Sequence, residues 1–365
     1  MEYALLKGGK PVPRAMIAMS GGVDSSVAAY LMRQAGFACV GVQMKLFENK
    51  DAGLSRESAC CSLESAEDAR RVAFGLDMPF YVWNFTEEFR SRVIGRFAAA
   101  YAAGRTPNPC IDCNRFLKFG ALLDRARALG FDCLATGHYA RIEKANGRYF
   151  LKKALDQTKD QSYVLYMLSQ EQLSMLRLPL GGLQKRETRA IAARQGFENA
   201  RKPDSQDLCF APDGDFAAAA ERALGEPFLP GNFLDTAGRV LGRHRGIGRY
   251  TVGQRRGLGI SAEKPLYVCE ICPAENAVVL GGNEMLFSRV LEADDFCWIA
   301  GTAPDAPLHV RAKIRYRQPE QPAVVTPLGP DKVRVEFAEP QRAVSRGQAV
   351  VLYDGDVVLG GGTIL

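Results

Sequence analysis

The chain has 365 residues, 47% of them apolar and 24% charged, with a formal net charge of +6. This balance excludes a disordered or fibrous protein, and ten cysteines in this length fall far below the roughly 8–10% of a disulfide scaffold. No run of about 18 uninterrupted apolar residues occurs, so no membrane partner is expected.

In chain order, Arg14 to Met19 reads as a buried strand, Val23 to Gln34 as a helix closed by Gly36, and Phe37 to Met44 as a second strand. A helix over Glu64 to Phe74 precedes a third strand over Pro79 to Phe85. A long helix from Glu87 to Ala103 ends at Gly104, another from Arg115 to Leu129 ends at Gly130, and Phe131 to Thr136 is a fourth strand. Helical patterns follow over Glu171 to Leu176, Lys185 to Gln195 and Asp215 to Leu224. From Gly231 onward the pattern changes to short strands broken by Gly and Pro: Pro265 to Ile271, Ala277 to Leu280, Val310 to Tyr316, Lys332 to Phe337 and Ala349 to Leu352. Strands alternating with helices predict an α/β fold, with a doubly wound parallel sheet over 1–215, a small middle domain over 216–285 and an all-β terminal domain over 286–365.

The opening MEYALLKGGKPVPRAM lacks the ordered regions of a secretory signal, so a cytoplasmic protein with reduced cysteines is expected. Only three histidines are present, His138, His244 and His309, and no G-x-S-x-G elbow accompanies them. Neither a site of several imidazoles nor a Ser/His/Asp hydrolase is therefore expected.

Between the first strand and first helix stands Ser20-Gly21-Gly22-Val23-Asp24-Ser25-Ser26. Two glycines allow close backbone approach, the serines supply hydroxyls, and the helix start offers N–H groups and a positive dipole end, together a cradle for phosphate. A carboxylate in such a cradle needs a cation beside the phosphates, which assigns Asp24 to Mg²⁺. Neither a Walker A loop nor a dinucleotide fingerprint fits. The loop resembles that of the ATP pyrophosphatase family, whose members cleave ATP between the α and β phosphates to activate an oxygen for displacement.

Among the thiols, Cys39 and Cys133 lie in apolar strands and read as core, and Cys297 beside Trp298 reads as packed. Cys269 and Cys272 form a C-x-x-C that period-2 alternation places on opposite faces of a strand. Cys60 and Cys61 are a vicinal pair in a polar loop, with no role assigned. Cys110 and Cys113 stand in Thr106-Pro107-Asn108-Pro109-Cys110-Ile111-Asp112-Cys113-Asn114-Arg115, where two prolines predict an extended loop and Asn114 the N-cap of the following helix. That places Cys113 at a helix N-terminus near Arg115 and Lys118, which favours its thiolate. The same pair also reads as half of a structural zinc site.

The order SGGVDSS, NPCIDCNRFLKF, ATGHYAR, KDQSYVLY and DSQDLCF closely resembles the bacterial tRNA-specific 2-thiouridylases, and GRYTVGQRRGLGI and KIRYRQ extend the resemblance over nearly the whole chain. The resemblance implies an ATP pyrophosphatase catalytic domain, an RNA-contacting middle domain and a C-terminal β-barrel. It implies ATP binding by Ala18, Met19, Ser20, Gly21, Gly22, Val23, Asp24, Ser25, Met44 and Gly137, with target-base contact by Asn108, Pro109 and Cys110. Cys113 is the implied nucleophile and Cys209 the persulfide carrier, with a Cys113–Cys209 disulfide closing the cycle. Contact with tRNA is implied for Lys159, Asp160 and Gln161 and for Arg315 and Tyr316. Many relatives carry Asp where this chain has Cys110, which leaves a second thiol near the site.

Six arginines (Arg239, Arg243, Arg245, Arg249, Arg255, Arg256) fall between Thr236 and Ala262 with no acidic residue among them. Arg311, Lys313, Arg315 and Arg317 alternate in a way that places all four on one strand face. Both clusters read as phosphate contacts. The resulting expectation is an ATP- and Mg²⁺-dependent 2-thiolation of the wobble uridine of tRNA, the family implying Lys, Glu and Gln tRNAs. Its partners would be tRNA and a sulfur-donor protein, a cysteine desulfurase or sulfur relay protein, and the enzyme a monomer. Two rival readings remain. An iron–sulfur-dependent tRNA thiolase would use Cys110, Cys113 and Cys209 as ligands. An ATP pyrophosphatase-type ligase or amidase would act on a small metabolite.

Overall fold

The computed structural model describes residues 6–7, 10–47, 60–204 and 208–365. The chain divides into two compact units, one of residues 1–90, 112–206 and 356–358, the other of 91–111, 207–355 and 359–365.

In the first unit, β1 (Arg14–Ala18), β2 (Ala38–Lys45), β3 (Phe80–Asn84), β4 (Cys133–Ala135) and β5 (Leu176–Arg177) form a parallel sheet in the order β3-β2-β1-β4-β5. Ala15, Met16 and Ile17 are consecutive and fully buried, as a central parallel strand covered on both faces requires. Pairing Ala15 with Cys39 on one side and with Cys133 on the other sets the register. Both thiols therefore sit in the core, where burial raises Cys39 to about 12 and Cys133 to about 11. They stay protonated, as expected of core residues.

Helix α1 (Val23–Gln34) follows β1 and ends where Gly36 takes φ +88°. Helix α2 begins at Cys60 and runs to Gly75, so the backbone of the vicinal cysteines is helical where a loop was expected. Residues 48–59, which precede it, lie outside the described residues. Strand order reverses between β1 and β4. At such a switch point the loops leaving the two strands diverge and open a crevice at the carboxyl end of the sheet. A hairpin of Arg141–Ala145 and Arg148–Lys152 was not expected. Its turn, Asn146-Gly147, has φ of +50° and +77°, the two positive values a tight type I′ hairpin demands.

The largest correction concerns the helix carrying Cys113. It starts at Pro109, not Arg115, and α3 spans residues 109–128 as Pro109–Asp112, a π-helical stretch Cys113–Ala121, and Leu122–Ala128. Proline at the first helical position forfeits no hydrogen bond and presets φ. Asn108 is the cap: its Oδ1 accepts the Cys110 N–H at 3.1 Å. Asn114 lies inside the helix, buried, with its Nδ2 donating to the Val164 carbonyl at 2.9 Å.

In the second unit, α5 (Phe216–Leu224), capped by Asp215, precedes a four-stranded sheet of β6 (Gly231–Leu234), β7 (Val240–His244), β8 (Tyr267–Cys272) and β9 (Ala277–Gly281), in the order β7-β6-β9-β8. Phe233, Tyr250, Val268, Val278 and Leu280 fill its core. A bulge at Cys269 breaks the alternation of β8, so Val268 and Ile271, three apart, are both buried. The opposite-face argument for Cys269 and Cys272 therefore fails. Burial nonetheless raises both thiols, and among the described residues no group of three or more His, Cys, Asp or Glu is gathered to hold a metal ion.

The remaining strands, β10 (Phe287–Trp298), β11 (Leu308–Lys313), β12 (Gln321–Pro327), β13 (Val333–Arg342), β14 (Ala349–Asp354) and β15 (Val357–Ile364), run β10-β13-β12-β11-β14-β15, and β15 pairs back onto β10. The result is a closed antiparallel barrel around Ala293, Phe296, Val325, Val335 and Leu352. Strand β11 ends at Lys313, so the basic row does not continue through Arg315 and Arg317. Those two residues lie in the bend and turn that follow. No helix of the described residues is long and apolar enough to cross a membrane.

Candidate active site

The loop after β1 and the segment after β4 meet at the switch point. Gly21 has φ +79°, and a Cβ there would run into the backbone carbonyl of Ser65. A Cβ on Gly137 would stand 2.8 Å from the carbonyl carbon of Asp24 and from the nitrogen of Ser25. Both glycines are thus required by close backbone approach, and Gly137 lies directly against the start of α1. The N-cap of α1, Gly22, has no side-chain cap hydrogen bond, so the helix start presents its N–H groups at the crevice. Ser25 Oγ braces the loop by accepting the Ser20 N–H at 3.1 Å and donating to Gly22 O at 3.0 Å. Ala18 and Met19 lead into the loop from β1, and Met44 lies near the carboxyl end of neighbouring β2, facing Trp83 in register on β3. We expect Gly137→Ala to weaken nucleotide binding at least tenfold by calorimetry, since displaced backbone cannot be relieved by a rotamer change.

Three partners of this loop come from far along the chain. Asn199, buried, donates from Nδ2 to Gly21 O and to Ser26 Oγ, each at 2.9 Å. Tyr139, two residues past Gly137, donates its hydroxyl to Asp24 Oδ1 at 2.9 Å and shares a 2.9 Å hydrogen bond with Thr188. Burial raises the Tyr139 phenol above its ordinary range and keeps it a neutral donor. Lys185, at the start of α4 (Lys185–Arg194), places Nζ 2.7 Å from both oxygens of Asp24 and 2.8 Å from Asp204 Oδ1. Asp204 is also bound by Lys159 and Arg189, each at 2.9 Å. Burial opposes its ionisation, but the hydrogen bonds and charges of Lys185 and Lys159 outweigh that and bring it down to about 2. Composition and local pattern gave no signal for Lys185 or Asn199, whose partners lie 161 and 178 residues away.

Of the other residues expected near RNA, Asp160 accepts the N–H groups of Ala154 and Ser162, and Gln161 Oε1 accepts the Tyr139 N–H at 2.9 Å. These side chains hold the loop that contains Lys159. His138 is buried and bonded through Nδ1 to Thr136 Oγ1 at 2.7 Å. Burial, reinforced by Lys118, lowers its pKa well below the usual value, so the ring is neutral at pH 7.

The start of α3 at Pro109 exchanges the environments expected of its two cysteines. Cys110 is exposed and sits in the first turn, where the helix dipole favours a thiolate, whereas Cys113 is only 8% exposed and lies beyond that turn. The dipole argument made for Cys113 thus applies to Cys110. In the second unit, the loop leading to Asn108 and Pro109 is tied to the barrel: Thr106 N–H donates to Arg346 O at 2.8 Å and Gln348 Nε2 to Thr106 O at 2.7 Å. Gln348 lies in none of the sequence motifs, its partner being 242 residues away. Cys209 is exposed, followed by Phe210, which is buried edge-on against Phe97 at 5.1 Å between ring centroids. Its neighbours 205–207 lie outside the described residues.

The basic clusters are partly neutralised. Arg239 pairs with Asp235 at 2.7 Å, just outside the window that looked acid-free, and Arg249 with Glu221 at 2.5 Å, an acid that the preceding helix α5 supplies. Arg243, Arg245, Arg255 and Arg256 are exposed. Arg315 is held by Ala343 O at 2.7 Å and Ser345 Oγ at 3.2 Å, while Tyr316 and Arg317 are exposed beside it. The end of β11 removes the conflict that strand alternation had set up between Arg315 and Tyr316.

Family models match along the chain: the tRNA methyl transferase HUP domain over residues 13–213, the tRNA methyl transferase PRC-barrel domain over 221–282, and the aminomethyltransferase beta-barrel domain over 288–364. The chain is 51% identical over 351 residues to the tRNA-specific 2-thiouridylase MnmA of Moorella thermoacetica, covering 96% of this chain and 98% of that one. To the protein of the same name from Clostridioides difficile it is 49% identical over 353 residues, covering 96% and 98%. A relative from Roseiflexus castenholzii is 49% identical over 365 residues, again covering 96% and 98%. With a phosphate cradle at the switch point, the cysteine-bearing α3 and a match of this extent, the chain belongs to the tRNA-specific 2-thiouridylase family.

Proposed function

We propose that this chain is an ATP-dependent tRNA sulfurtransferase that replaces the 2-oxygen of the wobble uridine by sulfur. The observation that carries the reading is the glycine-walled N–H cradle of residues 20–25 closed by Gly137, within a chain about half identical to 2-thiouridylases along its length. The cradle suits the phosphates of ATP, and the Asp24 carboxylate at its mouth suits the accompanying Mg²⁺. Bound ATP supplies the adenylyl group that makes the uridine 2-oxygen a leaving group.

The chain's own residues perform the remaining steps. Asn108, Pro109 and Cys110 border the base, and the α1 N-terminus holds the phosphates. The terminal sulfur of a Cys209 persulfide, loaded by a cysteine desulfurase or relay protein, bonds to C2 as AMP departs. The Cys113 thiolate then attacks Cys209 Sγ, breaking the S–S bond, leaving sulfur on the base and forming a Cys113–Cys209 disulfide that an external thiol reduces. Arg243, Arg245, Arg255, Arg256 and Arg317 with Arg315 and Tyr316 contact the tRNA backbone, Arg315 also holding the turn that carries Tyr316 and Arg317, and Lys159, Asp160 and Gln161 add contacts beside the cradle. The boundaries at 215/216 and 285/286 separate the catalytic, middle and barrel domains.

The test is incubation of the enzyme with ATP, Mg²⁺, a persulfide donor and unmodified tRNA, followed by nucleoside analysis. We expect 2-thiouridine with one AMP per modified base, and tRNA binding whose log–log salt slope is about 0.7–0.9 per phosphate contact. AMP formation without tRNA would instead favour a small-metabolite ligase. Stoichiometric iron required for turnover would favour the cluster-dependent thiolase.

A further inference from the structure

Lys185 has three N–H donors, and the structure places three carboxylate oxygens around them: both of Asp24 and one of Asp204. Its side chain is only 11% exposed, and Nζ also lies 5.7 Å above the Tyr139 ring that reaches the same Asp24. A surface lysine is a mobile charge, but this one is fixed at the mouth of the phosphate cradle. It is also shared between an acid belonging to the cradle and one that does not touch it.

The two acids are unequal. Asp24 has Lys185 and the Tyr139 hydroxyl, whereas Asp204 has Lys185, Lys159 and Arg189. Taking the ammonium away from Asp24 leaves it bonded to Asp204, so it need not be stranded in a half-buried position. Taking it from Asp204 leaves that acid with two other cations. An ammonium with a second carboxylate in reach can yield the first at small cost.

We infer that Lys185 is a positioning residue for Asp24. It neutralises and aims the Asp24 carboxylate while the cradle is empty, then yields it to the divalent cation that enters with the nucleotide, Asp204 receiving the displaced ammonium. The inference rests on the assignment of the cradle to a metal-bearing nucleotide, and it makes Lys185 and the metal competitors for one carboxylate. Opposite effects are therefore expected from two neighbouring substitutions. Lys185→Met removes the competitor and strengthens metal binding. Asp204→Asn removes the ammonium's alternative seat, concentrates positive charge at Asp24 and weakens metal binding.

The experiment is titration of nucleotide-free enzyme with Mn²⁺, free Mn²⁺ being read from its electron paramagnetic resonance signal, alongside thermal melting of each variant. We expect Lys185→Met to bind Mn²⁺ about tenfold more tightly than the parent, and Asp204→Asn several-fold more weakly, as changes of one unit charge at contact distance in a partly solvated site produce. Lys185→Arg, which keeps the charge, should restore the parent affinity. A purely structural role would lower the melting temperature of both variants and shift Mn²⁺ affinity in the same direction or not at all, and that result overturns the inference. A folded Lys185→Met enzyme with no gain in Mn²⁺ affinity, undetectable binding included, overturns it equally. Because neither tRNA nor ATP is present, failure here is separate from failure of the thiolation assay.

Discussion

Cys113→Ser is expected to abolish 2-thiouridine formation, by about four orders of magnitude or more, while Cys110→Asp keeps turnover within about threefold of the parent. A nucleophile that must cleave a sulfur–sulfur bond has no substitute in a hydroxyl, whose proton is held far more tightly. Cys110 presents a different case. Its N–H donates to the capping Asn108 Oδ1 in the first turn of α3, and a carboxylate at that position is favoured by the same dipole that favours a thiolate. Both variants should fold, since Cys110 is exposed and Cys→Ser at Cys113 changes little volume. Mass-spectrometric nucleoside counting after a fixed time reads the result. The reverse pattern, an inactive Cys110→Asp and an active Cys113→Ser, would move the nucleophile to Cys110 and fit its more exposed, dipole-facing position.

Asp24→Ala should stop pyrophosphate release, by about a thousandfold or more, with tRNA affinity changed by less than about twofold. The carboxylate is the cradle's acidic group, and its loss removes the anchor for a divalent cation between phosphates that otherwise repel one another. Lys185 stays bonded to Asp204 in this variant, so a cation remains near the phosphates and ATP itself should still bind, within about tenfold. Filter binding for tRNA, calorimetry for ATP and a coupled pyrophosphate assay separate the three quantities. Normal pyrophosphate release would remove Asp24 from metal binding and with it the assignment of the cradle.

Local signals carried four of the five strands of the parallel sheet and most helix ends; the two-residue β5, Leu176–Arg177, is too short to show a pattern and falls where a helix was expected. Gly36, Gly104 and Gly130 each take positive φ just past a helix, and each had been read as a stop from its position after an apolar periodic run. The Asn146-Gly147 hairpin was equally legible and was passed over, because its strands are short and half exposed and so lack an apolar run. The start of α3 was misread for a definable reason. Proline forbids a helix interior but suits its first position, and two prolines in Thr106 to Cys110 made the loop look longer than it is. In β11 the alternation of basic residues outlasted the strand, since Arg315 bonds the Ala343 carbonyl from a turn. The loop residues of the cradle were found by motif. Of its supports, Tyr139 lies in the ATGHYAR stretch with no role of its own assigned from sequence, and Lys185 and Asn199 lie in none of the motifs, because pairing across more than a hundred residues leaves no trace in any local window.

Closure of the barrel by β15 against β10 has a consequence for association. An open sheet offers a row of backbone donors and acceptors to which any extended peptide can add, whatever its side chains, and such edges recruit partners and aggregates alike. In this barrel β10 pairs with β13 over residues 287–293 and with β15 over residues 293–298, so the seam of the ring is closed, and at Val357 of β15 the ladder is already taken by Lys152. Whatever docks on its wall must be discriminated by side chains and by the loops at its rims. Selectivity there is open to change by single surface substitutions that leave the backbone ladder untouched.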